Sequence, residues 1–204
     1  MTNPVLHGFQ NLTRFTGRDT RGQFWPYAAV VLVVVFVSMG VGMAFAMNGF
    51  FTEMQQFAAA HPEAATVHSS PGSYSISIDA SHPDAPMPDT NGAFLALSLG
   101  VFGAILLLAA AVSRRLHDSG RSALWGLLPV PFLLFGIGFF PGLMSSIMAG
   151  DEPDLGLFFL LFGNNMLYLA ALGTLAILLS LSTARGANRH GEEPSPQAET
   201  ARRT

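Results

Sequence analysis

The chain has 204 residues, half of them hydrophobic and only 11% charged, against roughly a quarter charged in an ordinary soluble domain. Its ten basic residues are all arginine, cysteine is absent, and the formal net charge is −3. These values exclude a disulfide framework, thiolate chemistry and a cysteine metal site, argue against nucleic-acid binding because no basic face is free of acidic company, and point to a membrane protein.

In chain order, residues 1–23 form a polar segment that carries Arg14, Arg18 and Arg21. The pattern Thr20-x-x-Gln23 fits a capping box, so a helix is expected to start there, with Trp25 and Tyr27 at headgroup level. Residues 24–47 are an uncharged apolar run, long enough to cross about 30 Å of hydrocarbon as a helix. Ala44-Phe45-Ala46 resembles a signal-peptidase site, but the run before it is longer than a signal core, and retention as a span is expected.

Residues 48–92 read as a Pro-, Gly- and Ser-rich external loop in which "SYSISID" is a short strand or hairpin arm at most. His61, His68 and His82 share it with Glu63, Asp79 and Asp84. No HxH or HxxxH spacing fixes two ligands on one face, so solvated histidines and no metal are expected.

Residues 93–112 form the second span, 113–122 a charged connection reading "SRRLHDSGRS", and 123–148 a third span containing Pro129, Pro131 and Pro141. Proline deletes backbone donors, so this third span should be kinked or partly broken. In the connection, Arg114 and Asp118 are an i,i+4 pair and Arg115 and Asp118 an i,i+3 pair if the second helix continues. Gly120 suits a helix-terminating position and Ser122 a cap for the third span. Residues 149–156 form an acidic external turn, 157–181 the fourth span, and 182–204 a mixed-charge tail, partly disordered by composition.

Ala96-x-x-x-Gly100 and Ser38-x-x-x-Gly42 fit small-residue helix packing. Asn164 and Asn165 lie about two turns into the fourth span, where interhelical hydrogen bonding is the expected role and a polar path the alternative. No Asp, Glu, Lys, Arg or His lies inside a span, which argues against an ion-coupled pump. All ten arginines fall before the first span, between the second and third, or after the fourth. The positive-inside rule then places both termini in the cytoplasm. The expected fold is all-α: a polytopic membrane protein with four transmembrane helices in a small bundle.

The arginine clusters are patterned. Phe15, Gly17, Arg18, Arg21, Phe24 and Trp25 form one motif; Arg114, Arg115, Leu116, His117, Asp118, Gly120, Arg121, Ser122 and Trp125 a second; Gly186, Asn188, Arg189 and Gly191 a third. Together they resemble the bacterial inner-membrane proteins of domain-of-unknown-function family 805. Ala123-Leu124 stands where that family usually has Gly-Trp and His190 where it usually has Tyr, and the loop 48–92 is an elaboration. The resemblance implies an integral inner-membrane protein whose biochemical role is unassigned.

The motifs lie far apart in the chain but on one predicted membrane face. The favoured functional expectation is a polar network of Arg18, Arg21, Arg114, Arg115, His117, Asp118, Arg121, Asn188 and Arg189 that binds an anion, a phospholipid headgroup being the simplest ligand. The bland reading is that these residues set topology and tie helix ends together. A small transporter or channel component, or a membrane subunit in a homo-oligomer or larger complex, is the alternative. Catalysis by His117 and Asp118 is not expected, because adjacent helical residues point about 100° apart, and no cofactor is expected.

Overall fold

The structure is a computed structural model that describes residues 3–148, 152 and 154–192. Most of the acidic turn predicted at 149–156, and the tail from residue 193 with Arg202 and Arg203, lie outside the described residues. The order of elements is α1 (Pro4–Gln10), α2 (Arg21–Ala60), β1 (Ala65–Ser70), β2 (Ser73–Ile78), α3 (Thr90–Asp118), a 3-10 turn (Ala123–Leu127), α4 (Val130–Met148) and α5 (Leu155–Ser180). Four helical stretches, Arg21–Ala60, Gly92–Asp118, Ala123–Ile147 and Leu155–Ser180, are long and apolar enough to cross a membrane.

Local chemistry sets most of the boundaries. The Thr20 N–H donates to Gln23 Oε1 over 2.9 Å, the backward half of the capping box that opens α2. The Asn3 side chain accepts from Val5 N–H at the start of α1, and Asp154 caps α5 by accepting from Leu157 N–H at 3.0 Å. At the end of α3, Arg121 N–H donates to Leu116 O and Gly120 N–H to His117 O. With Gly120 at φ +75°, this is the Schellman arrangement, in which a left-handed residue without a Cβ stops the helix. Ser122 caps the 3-10 turn through Leu124 N–H. The third span is broken between that turn and α4, next to Pro129 and Pro131.

Two expectations need correction. The fold is mostly helical rather than all-α, because β1 and β2 pair antiparallel from Ala65↔Ile78 to Ser70↔Ser73. Pro71-Gly72 supplies their turn, with Gly72 at φ +89°. The stretch read as one loop from residue 48 also begins as helix, since α2 runs on to Ala60. Residues 52–60 are rich in Glu, Met, Gln and Ala, good helix formers, and no proline intervenes before Pro62. At 40 residues, α2 is about 60 Å long, roughly twice a hydrocarbon core.

Packing divides the chain into two units, Met1–Val35 with Ser98–Thr204, and Phe36–Leu97. In the first, Phe24, Tyr27, Ala28 and Val31 of α2 meet Ala111 and Leu116 of α3 and Leu178 and Leu179 of α5 in a buried core. Tyr27 OH donates to Leu107 O at 2.6 Å, and its ring closes over Gly8, where a Cβ would lie 2.2 Å from Tyr27 Cδ2. This core sits at the arginine-bearing end. Along the most apolar part of each long helix no more than 11% of residues are buried.

Candidate functional site

The buried core is continuous with a set of charged side chains. Asp118, the last residue of α3, is completely buried. Its Oδ1 accepts from Arg18 Nε at 3.3 Å, and its Oδ2 accepts from Thr183 Oγ1 at 2.7 Å and from Arg115 Nη1. Its carbonyl accepts from Ala184 N–H at 2.9 Å. Arg115, also fully buried, donates through Nε to Leu179 O at 2.8 Å and through Nη2 to Leu181 O. The final carbonyls of a helix have no partner within it, and a cation there also meets the negative end of the helix dipole. Arg115 thus closes α5 while being neutralised by its own neighbour one turn on. Arg18 reaches into the same region, donating to Gly186 O at 2.8 Å, Gly191 O at 3.3 Å and Ala184 O.

Arg114 forms a second knot. Its Nε donates to Asp19 Oδ2 at 2.7 Å, and its Nη1 to Asn11 O at 2.7 Å and to Arg14 O. Asp19 N–H returns a bond to Arg114 O at 3.2 Å, and His7 Nε2 sits 3.2 Å from Asp19 Oδ1. The expected Arg114–Asp118 pair is therefore absent. Both Asp118 oxygens are taken by Arg18, Arg115 and Thr183, and Arg114 turns instead to the N-terminal segment. The Arg115–Asp118 pair forms as the spacing predicts. Three buried arginines face two buried aspartates, and the remaining positive charge is distributed over carbonyls at the ends of α3 and α5.

The third motif wraps this centre. Asn188 and Gly191 exchange two backbone bonds of 3.0 Å, Asn188 Nδ2 donates to His117 O at 3.0 Å, and His190 N–H donates to Asn188 Oδ1 at 2.8 Å. The His117 and His190 rings stack in parallel, with centroids 3.8 Å apart. A flat ring thus occupies the position at which the motif resemblance leads one to expect tyrosine. Burial, followed by the charges of His117, Arg189 and Arg18, holds the His190 imidazole below its ordinary value. His117 and Asp118 do not form a base and orienter, since every carboxylate contact of Asp118 goes elsewhere.

The other predicted residues stand apart from the buried centre. Arg21 is exposed and reaches Ser180 O at 3.4 Å. Arg189 is exposed and donates to His190 Nε2. Arg121 is half-buried, and its guanidinium has no hydrogen bond or ion pair among the described residues. Farther along the helices, Asn164 Nδ2 donates to Phe132 O at 2.9 Å, the interhelical bond expected of it. Asn165 is exposed. Both amides line a half-open cleft of about 290 Å³ between α4 and α5, with Gly136, Phe140, Phe158 and Phe162.

Sequence reasoning missed Asp19, Thr183 and the backbone acceptors at residues 179–191. The only local sign of Asp19 is its place between Arg18 and Arg21. A family model described as "Protein of unknown function (DUF805)" matches residues 12–192, a stretch that includes all three arginine motifs. No curated protein and no solved structure matches the chain.

Proposed function

The chain belongs to the DUF805 family, and from that premise we propose that it is a non-enzymatic membrane subunit that associates with a second copy of itself through α5. Its arginine-rich end acts as an internal clasp. We place it in the bacterial inner membrane with both termini in the cytoplasm, a reading supported by the confinement of all ten arginines to three of the five non-spanning segments. The clasp reading rests on the fact that the guanidiniums of Arg18, Arg114 and Arg115 bond to the chain's own carboxylates and carbonyls.

Asn165 carries the association reading. It lies about 15 Å along α5 from Leu155, at mid-span depth, and its side-chain amide is exposed with no hydrogen bond among the described residues. An amide facing hydrocarbon without a partner is costly, and a hydrogen bond across a helix–helix contact removes that cost. Because the chain has no cysteine, Leu169→Cys, one turn along α5 from Asn165 and exposed, introduces a single thiol while keeping the amide. Mild oxidation in native membranes should join this variant to a second chain, whereas Val33→Cys, exposed on α2, should not cross-link above background. Equal, low cross-linking of both variants would refute association through α5.

A second reading is favoured by Arg121, whose guanidinium has no partner among the described residues and suits bidentate contact with a phosphate. On that reading Arg121→Ala purifies with less anionic phospholipid per chain than the unmodified protein. Equal lipid content would remove it.

A further inference from the structure

The unit Phe36–Leu97 holds a group of side chains that the clasp does not use. His61 and Glu63 follow the last turn of α2, and His82 follows β2. A relay of backbone hydrogen bonds fixes their proximity. His61 N–H donates to Phe57 O at 2.8 Å, Ala64 N–H to His61 O at 3.0 Å, Asp79 N–H to Ala64 O at 2.8 Å and His82 N–H to Asp79 O at 3.1 Å. The two imidazoles lie 4.6 Å apart between centroids, and both rest on the buried Phe57 ring, at 4.9 Å and 5.2 Å. His61 Nδ1 is 3.3 Å from Glu63 Oε1. One donor atom from each of His61, Glu63 and His82 falls within 4.8 Å of the other two.

We propose that His61, Glu63 and His82 form a binding site for a divalent transition-metal ion of the Zn²⁺ class. Two imidazoles and a carboxylate are the donor set of an open tetrahedral site, with the fourth position left to water or a ligand. Nitrogen and oxygen donors of this kind favour Zn²⁺, Cu²⁺ and Ni²⁺ over Mg²⁺ or Ca²⁺. Bonds of about 2.0–2.2 Å put tetrahedral donors about 3.3 Å apart. The His61–Glu63 pair already meets that spacing, and His82 completes the set by turning its ring. Asp84 N–H donates to His82 Nδ1 over 3.2 Å, so a metal at Nδ1 exchanges a long hydrogen bond for a coordinate bond. The Phe57 ring beneath supplies the apolar floor that keeps water off one side. Motif spacing could not announce this site, because the second histidine arrives through a hairpin and not along one helix face.

The test is isothermal titration of the purified full-length chain in detergent with Zn²⁺. One equivalent should bind. His61→Ala or His82→Ala should weaken binding by at least the roughly tenfold that loss of even an outer hydrogen-bonding partner of a metal ligand costs. Glu63→Gln, at an exposed position that leaves the packing on Phe57 intact, should weaken it as well. His68→Ala, altering an exposed strand histidine outside the cluster, should leave it unchanged. Absence of Zn²⁺ binding, or equal affinity in His61→Ala, His82→Ala and the unmodified chain, would overturn the proposal.

Discussion

Asp118→Ala is expected to lower the folding free energy by about 3–5 kcal/mol, the cost of removing one partner from a buried ion pair. Asp118 and Arg115 have no exposed side-chain surface, and Arg18 only 2%, so water cannot replace the missing carboxylate. The loss strands two guanidiniums and also frees Thr183, whose hydroxyl donates to Asp118. Asp118→Asn keeps an acceptor oxygen and should cost less than alanine. Arg115→Met combined with Asp118→Leu should recover only part of the loss, because it removes the Arg115 charge together with the carboxylate but leaves Arg18 without its buried partner. Denaturant melts in mild detergent measure the series. An Asp118→Ala midpoint equivalent to less than about 1 kcal/mol of destabilisation would show that the carboxylate is not the centre of the clasp.

Arg114→Ala is the second large effect, at about 3 kcal/mol, the low end of the range for a broken buried pair. It is smaller because Asp19 keeps His7 as a neighbour at 3.2 Å. The effect should also be regional. Arg114 is the side chain that bonds to the carbonyls of both Asn11 and Arg14, so its removal should loosen the segment before α2 ahead of the rest. Tryptic cleavage after the exposed Arg14 should accelerate in Arg114→Ala under conditions where cleavage elsewhere does not. Arg114→Lys should restore little, since an ammonium on a flexible stem cannot fork to a carboxylate and two carbonyls together. Unchanged cleavage at Arg14 would remove the tethering role.

The features readable from the sequence are those encoded within a few residues. Uninterrupted apolar length located the four spanning stretches, Thr20 and Gln23 opened α2, Gly120 closed α3, and the prolines broke the third span. The partners of the clasp were not readable in the same way. Arg18 and Asp118 are separated by 100 residues, and nothing in either local pattern names the other. Arg115 bonds to the carbonyls of Leu179 and Leu181, groups every residue carries, so no residue type marks them. The same limit hid His61 and His82, which a hairpin brings together. The helix from residue 48 to 60 was obscured differently: its scattered polar residues read as loop once the apolar run had ended.

The acceptors of the clasp are also ordered in time. Arg18 and Arg115 are synthesised long before Leu179, Leu181, Gly186 and Gly191, the residues whose carbonyls they require. At ribosomal speeds of about 5–20 residues per second, the 64 residues from Arg115 to Leu179 take about 3–13 s and the 168 from Arg18 to Gly186 about 8–34 s, an interval in which Asp118 is made but those carbonyls are not. Closure comes only when α5 and the turn beyond it emerge. A chain stopped before residue 179 therefore carries Arg18 and Arg115 without the carbonyls of residues 179–191 that they bond in the closed clasp.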